Sequence, residues 1–85
     1  MARAPRGWRQ VDGALVRDFR FVDFAEAFSF MTRVALVAQR LDHHPDWSNS
    51  WNRVFISLRS HDAGGVVTKR DHELARAINS VLAAK

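Results

Sequence analysis

Apolar and polar residues alternate near the start of the chain around a two-residue turn signal. Asp12-Gly13, a dipeptide typical of hairpin turns, separates the predicted strands Trp8–Val11 and Ala14–Phe21. Because side chains alternate between the faces of a strand, one face of the second strand is mainly apolar. That face carries Leu15, Arg17, Phe19 and Phe21, and the other carries Val16, Asp18 and Arg20. The pattern predicts an antiparallel hairpin that covers a core.

A long amphipathic helix is predicted next, with Asp23 as its N-cap and its end near Leu41. Its apolar residues cover an arc roughly 180° wide, against about 100° for a helix that covers one surface. The arc consists of Phe24, Ala27, Phe28, Phe30, Met31, Val34, Ala35, Val37, Ala38 and Leu41. We interpret this width as packing on the sheet plus a subunit contact, since so short a chain has little else to cover the helix. The alternative is that the small domain wraps the helix more fully.

A second hairpin and a last helix complete the pattern. Pro45 prevents the long helix from continuing, and strands are predicted near Trp47–Ser50 and over Arg53–Arg59. The last helix starts at Thr68, and its apolar residues follow helical spacing: Leu74, Ala77, Ile78, Val81 and Leu82. The order ββαββα predicts an α+β fold, with a four-stranded antiparallel sheet and helices packed on one face. We expect residues 1–85 to form a single domain.

Composition and charge narrow the function classes. The 85 residues include no cysteine, which excludes a disulfide scaffold and a thiolate metal site. The net charge of +4 comes largely from arginines, which are scattered and mostly interleaved with carboxylates, so a nucleic-acid partner is not expected. No apolar run approaches the roughly 18 residues that cross a bilayer, and the start of the chain lacks the apolar stretch of a signal peptide. We therefore expect a cytoplasmic protein with no membrane contact.

Three histidines and a carboxylate lie where predicted elements begin or end. His43 and His44 follow the long helix, His61 follows the strongest strand, and Asp71 is in the first turn of the last helix. Function concentrates in such connections, because a rigid scaffold can aim them into one pocket. Histidine has an unperturbed pKa of about 6.5, so two facing imidazoles can serve as acid and base in one reaction.

These residues also have plainer interpretations. A histidine at a helix C-terminus complements the helix dipole, and His61 is equally compatible with an exposed loop. Thr68 and Asp71 fit a capping box, a role compatible with a place in a site. His72 is expected to be an exposed helix residue without a role.

The sequence gives less support to a ligand-stacking role for the tryptophans or to a metal site. In so small a protein, a core position is the simpler expectation for each tryptophan, although each could stack on a flat ligand: Trp8, Trp47 and Trp51. The HExxH and HxH spacings that place metal ligands on one face are absent, so no metal site is predicted.

The spacing of the polar residues is similar to that of a known family. His43-His44-Pro45 is followed after five residues by Trp51, after nine more by His61, and after nine more by Asp71. With the flanks GW at 7–8, DFAEAFSFMTRVAL at 23–36 and NRVFISLRSHDAGGVVTKRD at 52–71, the chain resembles the pterin-4a-carbinolamine dehydratases over nearly its whole length.

The resemblance implies a hydro-lyase that removes water from a 4a-hydroxytetrahydropterin to give a quinonoid dihydropterin, in tetrahydrobiopterin recycling. It implies no metal and no organic cofactor. By position, His43 and His61 would be the acid–base pair, and His44 would hold the substrate. The remaining pocket residues would be Pro45, Ser60, Asp62 and Ala63, flanked by Asp42, Asp71 and Trp8. Because the family is typically tetrameric through its long helices, a homotetramer or homodimer through helix 24–41 is expected.

The sequence departs from the family pattern in two places. The first motif position is usually charged, and here it is Gln39, which keeps hydrogen-bonding shape but lacks the charge that favours a protonated histidine. Only six residues precede GW, where the family usually has about 15–20 that form a first helix, so either the domain manages without that helix or the start codon has been set too late. Two alternatives stay open: an interaction protein of the dimerisation-cofactor type, and a pterin-metabolism protein without this activity.

Overall fold

A computed structural model describes residues 3–84 as one antiparallel sheet with two α-helices on one face. Every predicted element is present, with ends within about two residues of the predicted ones. The strands are β1 (Arg9–Val11), β2 (Ala14–Arg20), β3 (Asp46–Ser50) and β4 (Arg53–Leu58), and the helices are α1 (Phe24–Leu41) and α2 (Lys69–Ala83). A 3₁₀ turn at His61–Ala63 lies between β4 and α2. The predicted α+β class is confirmed.

The sheet has the order β1-β2-β4-β3, so both hairpins meet at its centre. The register there pairs Leu15 with Leu58 and Phe19 with Val54, all of them buried. The turn signal acts as predicted, since Asp12 and Gly13 both have positive φ, which suits the right-handed twist of the strands. Because β2 and β4 are central, the ends of β4 and α1 are held on a rigid base.

The core lies between the sheet and the two helices. Its centre is an aromatic cluster in which the Phe30 ring lies 4.8 Å from that of Phe19 and 4.9 Å from that of Phe21, centroid to centroid. Trp8 packs edge-on against Phe19 and donates its indole N–H to Asn79 Oδ1 at 2.9 Å. Arg17 also donates to Asn79 Oδ1, and burial lowers the pKa of its guanidinium. Trp8 is therefore a core residue, as one of its two interpretations predicted.

The wide apolar arc of α1 has two parts. Ala27, Phe30, Val34 and Ala38 are buried against the sheet and α2. Phe24 and Phe28 lie on the adjoining side with 49% and 55% of their surface exposed, and their rings are 5.9 Å apart. The single chain therefore covers only part of the arc and does not wrap the helix fully, whereas the subunit contact stays a prediction.

Two residue-level expectations are wrong. His72 was expected to be exposed, but only 8% of its surface is accessible, because it lies on the flank of the α2 face that buries Leu74 and Ala75. Trp51 was expected in the core, but it is 66% exposed in the turn between β3 and β4, where its φ is +52°.

Within residues 3–84, no helix combines the length and apolar character needed to cross a membrane.

Candidate active site

The end of α1 presents the two adjacent histidines. Asp42 closes the helix in the left-handed conformation (φ 53°, ψ 42°), and its N–H bonds back to the carbonyls of Ala38 and Gln39. His43 also donates its N–H to the carbonyl of Ala38, so the chain turns sharply before it enters β3. The helix therefore stops at Asp42, three residues before Pro45. As a result, His43 turns inward and is buried, whereas His44 remains exposed.

His43 forms a buried pair with Asp71. Its Nε2 lies 2.5 Å from Asp71 Oδ1, and the carboxylate has no accessible surface. The second oxygen, Oδ2, accepts the Ser60 hydroxyl and the Thr68 backbone N–H, both at 2.8 Å. These two donors fix the carboxylate in place, so its other oxygen, Oδ1, is aimed at His43 and accepts a hydrogen bond from Nε2. The hydrogen-bond network thereby leaves His43 Nδ1 as the nitrogen that can accept a proton.

Asp71 also performs the structural role that the sequence predicted. Thr68 caps α2 by accepting the N–H of Arg70, and Asp71 returns a bond to the Thr68 N–H, which completes the capping box. One carboxylate therefore fixes the start of α2 and orients His43. The capping interpretation of Asp71 is confirmed, and its place in a site stays a prediction.

The other two histidines predicted for the site, His44 and His61, have exposed partners. His44 Nε2 lies 3.0 Å from Gln39 Oε1 one turn earlier on α1, so the neutral amide contacts His44 and not the buried His43. His61 begins the 3₁₀ turn after β4, and its Nε2 lies 3.2 Å from Asp46 Oδ2 at the start of β3. Because both partner atoms are oxygens that accept hydrogen bonds, these contacts favour the Nε2–H tautomer of both rings, with Nε2 as the donor.

A shallow cavity of about 240 Å³ brings the three histidines together. It is lined by Asp42, His43, His44, Arg59, His61, Asp62 and Arg70. Five of these residues were predicted for the site, and Asp71 and Ser60 lie buried directly behind His43. A larger cavity of about 710 Å³ lies between the β1–β2 turn and α2, but it contains none of the predicted site residues.

Besides Asp71 and Ser60, three predicted site residues do not line this cavity. Trp8 is in the core beside Asn79, and neither Pro45 nor Ala63 is among the residues that line the cavity within the described range. Conversely, Arg59, Arg70 and Asp46 were not predicted. Arg70 precedes Asp71 in sequence, which was the available signal, whereas the contact of Asp46 with His61 depends on how the edge strand β3 lies beside β4.

The arrangement can move protons. It combines a buried histidine backed by a carboxylate with two exposed histidines around one opening, and it contains no cysteine nucleophile. Among residues 3–84, no group of three or more histidine, aspartate or glutamate side chains is arranged to hold a metal ion. General acid–base chemistry on a small ligand is the reaction type that these groups support.

Comparisons with known proteins point to one family. The sequence model of the family described as Pterin 4 alpha carbinolamine dehydratase matches residues 1–81. A relative from Rhodopseudomonas palustris (strain HaA2) is 57% identical over 77 residues, which cover 88% of this chain and 75% of the relative. A relative from Rhodospirillum rubrum is 61% identical over 69 residues, which cover 81% of this chain and 71% of the relative. Both carry the provisional name pterin-4-alpha-carbinolamine dehydratase.

Solved structures share the fold. A crystal structure described as a transcriptional coactivator/pterin dehydratase from Brucella melitensis superposes with a TM-score of 0.83 and 46% identity, covering 89% of this chain and 82% of that one. A pterin dehydratase-like protein described as a RuBisCO assembly factor in the alpha-carboxysome superposes with a TM-score of 0.74 at 19% identity, covering 89% of each chain. At that identity the second likeness concerns the fold alone.

Proposed function

Because this chain belongs to the pterin-4a-carbinolamine dehydratase family, we propose that it removes water from a 4a-hydroxytetrahydropterin to give a quinonoid dihydropterin. The observation that carries the proposal is the buried His43–Asp71 pair, which opens into a cavity that also holds His44 and His61. In a cell this activity would serve the recycling of tetrahydrobiopterin after aromatic hydroxylation.

The reaction needs two proton transfers and no change in oxidation state. The C4a–O bond breaks as its oxygen gains a proton and leaves as water. The N5–H bond breaks, and its electron pair forms the C4a=N5 double bond. One base near N5 and one acid near the hydroxyl are therefore sufficient, and two imidazoles on either side of the ring can supply both.

His43 is the proposed base. Its free nitrogen Nδ1 accepts the N5 proton, and the carboxylate of Asp71 stabilises the imidazolium that forms. His61 is the proposed acid, because it is exposed in the same cavity and its Nε2 is held 3.2 Å from Asp46 Oδ2. His44 follows the end of α1, lines the same cavity and is proposed to hold the ring. Asp42 and Asp62 line the same opening.

A stopped-flow ultraviolet assay of 4a-hydroxytetrahydropterin dehydration tests this proposal. We expect the wild-type protein to accelerate the spontaneous reaction, and His43→Ala and His61→Ala each to lower kcat by about 10²–10⁴-fold, the range of a general acid or base. His72→Ala is the matched control, because His72 is as buried as His43, at 8% accessibility, and lies outside the cavity.

Two outcomes would contradict different parts of the proposal. No acceleration by folded wild-type protein would refute the activity. Wild-type rates in both cavity variants would refute the assignment of the histidines while leaving the activity in place.

An interaction function is the second candidate. It is favoured by the exposed Phe24 and Phe28 on α1, since exposed aromatic pairs commonly mark contact surfaces. A copy of the same chain is the proposed occupant of this surface, as a homotetramer or homodimer. Folded protein that associates but does not accelerate dehydration would favour the interaction function over the enzymatic one.

A further inference from the structure

Arg70 connects the two chain segments that carry the proposed acid and base. It lies in the first turn of α2, and its guanidinium reaches across the cavity opening. One amino group, Nη2, donates to the backbone carbonyl of Asp42, the residue before His43. The other, Nη1, donates to Asp62 Oδ2 at 3.3 Å, the residue after His61. A single side chain thus joins the end of α1 to the 3₁₀ turn.

Within α2 alone, the first turn is an unfavourable place for the positive charge of Arg70. The first turn of a helix carries the positive end of its dipole, and Lys69 adds a second positive charge there. The side chain instead extends to the C-terminal end of α1, where the dipole is negative. There it satisfies the Asp42 carbonyl, which lies beyond the last hydrogen-bonded turn of the helix.

The ion pair alone does not account for this placement. Arg70 and Asp62 are both partly exposed, and exposed pairs of this kind contribute little to stability. The planar guanidinium, however, offers several donors in a fixed fork, so it can hold two acceptors at a set separation. A lysine ammonium at the end of a flexible chain lacks that geometry.

We propose that Arg70 is a positioning residue that fixes the distance between His43 and His61 by bridging Asp42 and Asp62. The proposal rests on the proposed dehydratase function for its kinetic consequence, but its structural consequence is independent of it. Asp71, the next residue on α2, holds the His43 ring. The first turn of α2 thereby sets both the orientation of one histidine and its separation from the other.

The test compares Arg70→Met and Arg70→Lys with Arg76→Met. Arg76 is the control, because it is an exposed arginine on the same helix and lies outside the histidine cavity. Hydrogen exchange of the backbone amides of His43 and Gly64 is measured by NMR in each variant. In the native protein these amides bond to the carbonyls of Ala38 and His61, so they report on the two bridged segments.

We expect both Arg70 variants to exchange these two amides at least several-fold faster than wild type, with α2 core amides such as that of Ile78 unchanged. In the dehydration assay we expect Arg70→Met to lower kcat by about tenfold to a hundredfold, the effect of misplacing a reacting group by about an ångström. We expect KM to change less, and Arg76→Met to match wild type in both measurements.

Three results would overturn the proposal. Native exchange at His43 and Gly64 in Arg70→Met would show that no bridge restrains these segments. Full activity in Arg70→Met would show that the bridge does not matter to the reaction. Full rescue of kcat by Arg70→Lys would assign the effect to charge and not to the guanidinium fork. If wild-type protein is inactive, the dehydratase proposal fails, and the exchange data alone decide whether Arg70 bridges the segments.

Discussion

Ser60 shows how a residue outside the cavity can shape the chemistry inside it. The family resemblance implied that Ser60 lines the pocket, and the structure places it buried behind His43. Its hydroxyl donates to Asp71 Oδ2, and its Oγ lies 2.6 Å from Thr68 Oγ1. Because Oδ2 is occupied in this way, Asp71 can direct Oδ1 at His43. The residue before one histidine thus supports the other.

We expect Ser60→Ala to lower the free energy of unfolding by about 1–3 kcal/mol, because buried Asp71 loses one of its donors. The dehydration rate should fall as well, since Asp71 then holds His43 less firmly. Urea denaturation measures the first effect, with Ser57→Ala as control. Ser57 is half-buried on β4 and makes no side-chain hydrogen bond within the described part of the chain. Equal stability of the two variants would contradict the role of Ser60.

At the scale of elements, patterns that depend on near neighbours were predictable and those that depend on distant parts of the chain were not. The Asp12-Gly13 turn and the amphipathic face of α2 follow from local spacing, and both were predicted correctly. The burial of His72 follows instead from how α2 sits on the sheet. The exposure of Trp51 follows from the positive φ of the β3–β4 turn, which no composition rule signals.

The same distinction applies to the site. His43, His44 and His61 could be placed at element ends from the sequence, and the cavity brings them together. The position of Arg70 next to Asp71 was a signal, but its bridge could not be predicted, because its partners Asp42 and Asp62 belong to segments that meet only when α2 packs beside α1. Trp8 was assigned to the predicted site from the family resemblance. In the structure its indole N–H bonds to Asn79, and its ring packs on Phe19 in the core.

The β1–β2 turn offers an element-scale prediction. Gly13 has φ +78°, and a Cβ added there would meet only the Gly65 carbonyl at an ordinary 3.7 Å. Gly13→Ala should therefore destabilise the fold by about 1–2 kcal/mol through backbone strain and not through a clash. Gly13→Asn should cost less, since asparagine tolerates the left-handed region. Thermal unfolding followed by circular dichroism compares them, and equal losses would contradict the strain argument.

At the scale of the whole molecule, α1 has more apolar surface than one chain can cover. One side packs in the core, and an outer stripe formed by Phe24, Phe28 and Ala35 remains exposed. Their helical spacing places all three on one side of α1. The sheet is already covered by both helices on its inner face, which leaves a second copy of the chain as the proposed partner for this stripe.

If the outer stripe is a subunit contact, the mass of the protein in solution should exceed that of one chain. Light scattering coupled to gel filtration should give a dimer or tetramer for wild-type protein. Phe28→Glu and Ala35→Glu should each shift the mass toward the monomer, because a charge on the stripe would be desolvated in the interface. Val11→Glu is the control, since Val11 is also exposed, at 40%, but lies on the edge strand β1 and not on α1.

The stability of these variants separates association from folding. If α1 contributes to a subunit interface, Phe28→Glu should lose the concentration dependence of its thermal midpoint while it keeps the native circular dichroism spectrum. The His43–Asp71 pair lies beyond the C-terminal end of α1 and is made within one chain, so it should be formed in either state. A wild-type mass equal to one chain at every concentration would refute the interface, and it would leave the exposed Phe24 and Phe28 to a different partner.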